Sequence, residues 1–187
     1  MQHSTQPATT SASTKQHRAQ APDSVRCYVV TVSDTRTLET DRGGALIVEL
    51  LEQAGHTARG REIVTDDAGA IESCVRGALE RDEDVEAVIV TGGSGIGPRD
   101  VTPEALQHLV VKEIPGFGEL FRMLSWDEVG PASMLSRAFA GVLEGGRLLF
   151  VLPGSTNAVR LAMEKLIAPE LGHLVREVSP HRRQKEV

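Results

Sequence analysis

Residues 85–109 (VEAVIVTGGSGIGPRDVTPEALQHL) bring a carboxylate, a glycine-dense turn and a helix start into one short stretch. Gly92, Gly93, Gly95 and Gly97 remove side chains at four of six positions. This frees the backbone for positive φ and lets its N–H groups face a bulky anion, for which a phosphate is the natural occupant. Thr91 and Ser94 add hydroxyls to the same loop. Thr102, Pro103 and Glu104 read as an N-cap, a first-turn proline and a first-turn acid, opening a helix whose N-terminal dipole also favours negative charge. Asp100 stands between loop and cap. A carboxylate there repels a phosphate unless a cation intervenes. The stretch therefore suits either a magnesium nucleotide or a plainer arrangement, in which Asp100 supports the helix start and the glycines make a tight turn. It lacks the Gly-Lys-Ser/Thr of a P-loop and the GxGxxG spacing of a dinucleotide fold.

Asp66 and Asp67 form a second acidic pair ahead of a helical pattern. One of them suffices to cap the helix, leaving the other free to face the edge that carries Asp100, where two carboxylates can share Mg²⁺. Two further turns have similar chemistry: Ser33-Asp34 after the first strand, and Pro153-Gly154-Ser155 after the last. Three strand ends with glycine or small polar residues favour one composite cleft. Ser136 and Arg137 lie beside an apolar stripe formed by Met134, Leu135, Ala138 and Phe139, which reads as helical. Arg137 suits a bidentate phosphate contact or a solvated helix surface.

The elements that must position these residues alternate between strand and helix. Apolar runs at residues 25–32, 59–64, 87–90 and 147–152 predict strands. The stripes Leu46, Ile47, Leu50, Leu51; Ile71, Val75, Ala78, Leu79; and Val159, Ala162, Met163, Leu166, Ile167 predict helices between or after them. An α/β fold with a mostly parallel sheet follows, and its ligands bind beyond the strands' C-terminal ends. Trp126 reads as a packing anchor or an interface residue.

At 187 residues, with 40% hydrophobic and 25% charged side chains, the chain suits one globular domain over residues 25–178. Residues 1–24 are expected to form a disordered N-terminal tail and residues 179–187 a C-terminal tail. Aromatics at 3% and a net charge of −6 argue against base stacking and a nucleic-acid partner. Cys27 and Cys74 lack metal or disulfide spacing and suit a reducing cytoplasm, and the six histidines offer no zinc pattern. No apolar run approaches membrane-spanning length.

Three segments, VTGGSGIGPRDVTPEAL, IPGFGELFRMLSWDEVGPASMLSRA and LPGSTNAVRLAMEKLIAPEL, resemble the molybdenum cofactor biosynthesis family typified by molybdopterin adenylyltransferase. The wording is most like its B branch. The resemblance covers roughly residues 25–175 and implies a three-layer α/β/α sandwich that assembles as a homotrimer or homohexamer. It further implies transfer of AMP from Mg-ATP to the terminal phosphate of molybdopterin, with release of pyrophosphate ahead of a downstream molybdenum-insertion protein. The family's two functional aspartates match Asp66 and Asp100, and its TGGTG loop matches Thr91, Gly92, Gly93, Ser94 and Gly95, with serine in place of threonine. Under this reading Asp66 and Asp100 hold Mg²⁺ and the loop through Gly97 holds phosphates. Ser33, Asp34, Ser136, Arg137, Pro153, Gly154 and Ser155 then line the substrate pocket. The rival expectations are a non-catalytic molybdopterin carrier, a nucleotide hydrolase resembling the domain of competence-damage proteins, and a purely structural oligomeric module.

Overall fold

The computed structural model describes residue 22 and residues 24–179. Apart from Pro22, Ser24 and Ser179, the two expected tails lie outside the described residues. Strands β1 (Arg26–Val32), β3 (Ala87–Thr91) and β6 (Arg147–Leu152) are buried almost throughout. Such runs of Val, Ile and Leu without polar alternation need cover on both sheet faces. With β2 (Thr57–Val64), β4 (Val110–Glu113) and β5 (Phe139–Leu143) they form one six-stranded sheet of order β2-β1-β3-β6-β5-β4. The first four strands are parallel, while β5 and β4 run antiparallel at one edge.

Helices cover both faces. Helix α1 (Arg42–Gln53) joins α4 (Pro115–Val129), α5 (Thr156–Ala162) and α6 (Ala168–Val178) on one face. There Ile47, Leu51, Phe121, Met163 and Ile167 pack against the inward residues of the strands. Helix α2 (Ala68–Arg81) and the short α3 (Thr102–Leu106) cover the other face through Ile71, Val75, Ala105 and Leu106. The result is the expected three-layer α/β/α arrangement. Helices α5 and α6 are joined without a break through a π-helical segment, Met163–Ile167. Pro169, which has no N–H to give the preceding turn, lies two residues beyond its end.

The apolar stripe at Met134, Leu135, Ala138 and Phe139 is not a helix. Gly130–Leu135 forms 3₁₀ turns that leave Met134 and Leu135 exposed, and Phe139 begins β5. Antiparallel pairing with β6, Phe139 opposite Val151 and Gly141 opposite Leu149, overrides the local spacing. Gly141 is required there because a Cβ would lie 2.4 Å from Val110 Cγ1 on β4.

Register sets up the functional edge. Val32 pairs with Val64, Thr31 with Thr91 and Thr91 with Leu152, so four parallel strands end nearly level. The chain crosses from β1 outward to β2, then back past β1 to β3. The reversal opens a crevice between β1 and β3, the usual ligand position in open parallel sheets.

Phe150 anchors the layer beneath that edge, with its ring 5.5 Å from Phe117 in an edge-to-face arrangement. Phe150→Ala is expected to destabilise the protein by about 3–5 kcal/mol. The check is a urea midpoint measured with the slope held common. A loss below about 1 kcal/mol would mean that the layer collapses to fill the space.

Candidate active site

A cleft of about 610 Å³ opens beyond the ends of β1, β3 and β6. Its lining includes Ser33, the loop from Thr91 to Gly95, Asp100 and the turn Pro153-Gly154-Ser155, so the three strand ends form one cavity. Thr91 Oγ1 donates to the Pro153 carbonyl at 2.9 Å, tying two of the turns together.

The loop's glycines serve two different purposes. Gly92 has φ +103°, and a Cβ there would lie 2.3 Å from the Val32 carbonyl oxygen; Gly93 has φ +61°, with Thr102 Oγ1 2.3 Å and Asp66 Oδ1 2.8 Å from its would-be Cβ. Gly95 and Gly97 do not take positive φ, contrary to the expectation for all four. They make room for the Asp100 carboxylate, whose Oδ2 lies 2.8 Å from a Cβ built at either position. That same oxygen accepts from the Gly97 N–H at 2.7 Å. The N–H groups of Gly93, Ser94 and Gly95 have no hydrogen-bond partner among the described residues.

Thr102 is not the helix cap. Val101 occupies that position, and buried Thr102 donates from Oγ1 to the Gly92 carbonyl at 2.9 Å and from its N–H to the Gly93 carbonyl at 3.0 Å. The start of α3 is thereby fastened to the loop.

The neighbouring acids Asp66 and Asp67 differ in their contacts. Asp67 caps α2, accepting from the Ala70 N–H at 2.8 Å, which leaves the Asp66 carboxylate free for the edge. Asp66 Oδ1 and Ser94 Oγ are both buried, and neither has a hydrogen-bond partner among the described residues. Burial pushes the Asp66 carboxyl above the usual aspartate range, Asp34 and Asp100 push it further, and Arg99 partly offsets them. Asp34 accepts from the Asp66 N–H at 3.2 Å and forms an ion pair with Arg99.

Ser33 Oγ accepts from the backbone N–H groups of Thr35 and Arg36, each at 3.3 Å, shaping the turn after β1. Ser155 caps α5 by accepting from the Ala158 N–H at 3.3 Å. Arg137, like Asp34, Asp66 and Gly97, lies outside the cleft lining. Its Nε donates to the Gly95 carbonyl and Nη2 to the Asp100 carbonyl, each at 2.7 Å, while Nη1 pairs with Glu104. Arg137 holds the Glu104 carboxyl below the usual glutamate range. Ser136 faces an adjoining pocket of about 420 Å³, which shares Pro153 and Ser155 with the cleft.

Three residues escaped the sequence reading. Asp41, 1% exposed, caps α1 by accepting from the Gly44 N–H at 2.9 Å and also accepts from Thr31 Oγ1 at 2.8 Å. Arg36 and Arg99 supply positive charge near the acids. The Asp41 signal was a helix-capping aspartate, visible in TDRGG, but its burial depends on long-range packing. Both thiols are raised by burial, Cys74 to about 12, which removes them as nucleophiles near neutrality.

Among the described residues no group of three or more His, Cys, Asp or Glu is arranged to hold a metal ion. Mg²⁺ does not need one, since it keeps several waters and takes one or two carboxylates plus substrate phosphates. The unpartnered buried oxygen of Asp66, close enough to Asp100 to feel its charge, fits that donor set.

Fold and cleft together are those of an open α/β domain with a ligand cleft beyond its strand ends. Residues 28–173 match the family model "Probable molybdopterin binding domain", and the chain belongs to that molybdenum cofactor biosynthesis family. Relatives about half identical to it carry the name molybdenum cofactor biosynthesis protein B. It is 53% identical over 167 residues to molybdenum cofactor biosynthesis protein B of Bacillus anthracis, covering 89% of this chain and 98% of that one. A solved structure of a molybdenum cofactor biosynthesis protein B aligns with TM-score 0.81 at 54% identity, over 87% of this chain and 99% of that one. The tungsten cofactor synthesizing protein MoaB from Pyrococcus furiosus aligns with TM-score 0.76 at 36% identity, over 84% of this chain and 99% of that one.

Because Asp66 binds its proton more tightly folded than unfolded, its ionisation costs stability. The cost is absent below the ordinary aspartate pKa, grows between that value and the raised one, and is complete above it. In metal-free buffer, Asp66→Asn is therefore expected to raise Tm by about 1–4 °C near neutral pH, with little change near pH ~3. An equal loss of Tm at both pH values would instead make Asp66 a structural acceptor.

Proposed function

We propose that this protein acts in molybdenum cofactor biosynthesis as a molybdopterin adenylyltransferase that uses Mg-ATP, with one molybdopterin-binding domain over residues 25–178. The observation that carries the reading is the buried, unpartnered Asp66 Oδ1 set beside Asp100 and the glycine loop. Carboxylates at the rim of an anion cradle conflict with a bare phosphate and agree with a metal-bound one.

In the reaction, a terminal phosphate oxygen of molybdopterin attacks the α-phosphorus of ATP. A new P–O–P link forms and the bond to the β-phosphate breaks, releasing pyrophosphate. Little covalent work falls to the protein, whose task is to position two anions in line and balance their charge. The N–H groups of Gly93, Ser94 and Gly95 are free to donate to phosphate oxygens, and Ser94 Oγ can join them. Asp66 and Asp100 would hold Mg²⁺, which supplies charge neutralisation on the nucleotide phosphates. Arg137 fixes the loop from beneath through Gly95 and Asp100. The adjoining pocket at Ser136 and Asn157 gives a second substrate room next to the shared Pro153-Ser155 turn.

A carrier that binds molybdopterin without turnover is the second reading, favoured by the same cleft but leaving the crowded acids without a task. Cytoplasmic location suits both readings, given free Cys27 and Cys74. Among the described residues no helix is long and apolar enough to cross a membrane. The product would pass to a molybdenum-insertion protein.

Self-association, as homotrimer or homohexamer, is also proposed. Leu120, Met123, Trp126 and Val129 repeat at intervals of three along α4 and are all exposed, in contrast to Phe117, which is buried in the core. An exposed apolar stripe of this kind marks an interaction surface.

Two outcomes follow. Wild-type protein with Mg-ATP and molybdopterin is expected to release pyrophosphate, and Asp100→Asn to lower turnover by about 100-fold or more while molybdopterin still binds; full activity in the variant would remove Asp100 from the mechanism. Trp126→Arg is expected to shift the protein towards monomer in light scattering after gel filtration. An unchanged assembly would move the interface off α4.

A further inference from the structure

Two arginines near the cleft differ in how their donors are used. Arg137 is fully engaged: Nε, Nη1 and Nη2 all have partners, two of them loop carbonyls. Arg36 is the opposite case. Its backbone N–H is pinned to Ser33 Oγ and its side chain is 38% exposed in the cleft lining. Yet its guanidinium makes no hydrogen bond among the described residues. The nearest acid oxygen, Asp41 Oδ1, lies 3.9 Å from Nη1, and that wholly buried carboxylate already accepts from Gly44 and Thr31. Asp41 therefore steadies the cation by charge without occupying its donors.

The position is equally specific. A Cβ built on Gly43 would lie 3.9 Å from Arg36 Nη1 and 3.7 Å from the Gly154 carbonyl oxygen, so the guanidinium stands beside the turn after β6. Among the residues lining the cleft, Arg36 is the cationic one, facing glycine turns, hydroxyls and Asp100. A planar fork of uncommitted N–H groups in an anion-sized cleft matches a phosphate bidentately.

We propose that Arg36 contacts the substrate directly, closing its guanidinium on a phosphate group, and so takes the phosphate-holding role that the sequence suggested for Arg137. The inference rests on the adenylyl-transfer reading only for which molecule carries that phosphate.

The test is calorimetric titration of wild type, Arg36→Gln and Arg36→Lys with four probes: Mg-ATP, adenosine, molybdopterin and dephosphorylated molybdopterin. Arg36→Gln is expected to bind one phosphorylated probe about ten- to a hundredfold more weakly, with its phosphate-free counterpart and Tm unchanged. Arg36→Lys is expected to recover part of the loss, keeping charge without the fork. A loss confined to Mg-ATP assigns the nucleotide phosphates, and one confined to molybdopterin assigns the pterin phosphate. Wild-type affinity for both phosphorylated probes in Arg36→Gln overturns the proposal, as does an equal loss for the phosphate-free probes. Pyrophosphate release separates the two levels: weakened phosphate binding by the variant, with no release by wild type, leaves the Arg36 assignment standing and overturns adenylyl transfer. Release that persists with unchanged affinity does the reverse. Wild type that binds neither phosphorylated probe overturns both.

Discussion

Asp34, Asp66 and Asp100 meet where the parallel strands end, and burial, reinforced by the charges of Asp34 and Asp100, raises the cost of ionising Asp66. A fold under selection for stability alone would not bury an unpartnered carboxylate oxygen beside two other acids. The surrounding architecture bears that strain. Four strands ending in register bring the loops together, and positive φ at Gly92 and Gly93 folds the β3 loop against Val32 and Asp66. Thr102 then fastens α3 to the loop backbone.

Positive charge is distributed around the acids in three separate roles. Arg99 meets Asp34 at the rim, Arg137 braces the loop from below, and Arg36 stands in the cleft with its donors free. Buried Asp41 connects Thr31 on β1 with the start of α1 and lies 3.9 Å from both Arg36 and Arg61. One buried carboxylate thus fixes the wall of the cleft. Truncating it would leave the buried Thr31 hydroxyl and the Gly44 N–H without their acceptor and remove a charge from beside both arginines, a larger disturbance than losing a surface ion pair.

Much of this arrangement was legible in the residue order. The runs at 87–90 and 147–152 have the unbroken apolar character of strands covered on both faces, and the βα alternation places their ends on one edge. The glycine loop, Asp100 and the turns at Ser33 and Pro153 follow from the same logic. Strands β4 and β5 were not legible. Exposed Val-Val-Lys-Glu carries no alternation, and Gly141 interrupts β5, so only pairing with β6 and packing by Val110 define them. Arg137 had the right chemistry for phosphate, but its partners lie more than thirty positions away in sequence. Local reading could not reveal that its donors were already engaged. Asp66 and Asp67 were equivalent until the Ala70 N–H selected the cap.

On the proposed reading, the crowded acids are an incomplete metal site, finished by the nucleotide that brings its own phosphates. The most direct measurement is an anomalous-scattering crystal structure with Mn²⁺ and a non-hydrolysable ATP analogue. A metal peak bound by Asp66 Oδ1 and the Asp100 carboxylate is expected, with analogue phosphates along the Gly92 to Gly95 backbone. Nucleotide bound in the cleft with the metal elsewhere, or with Asp66 still unliganded, would contradict it.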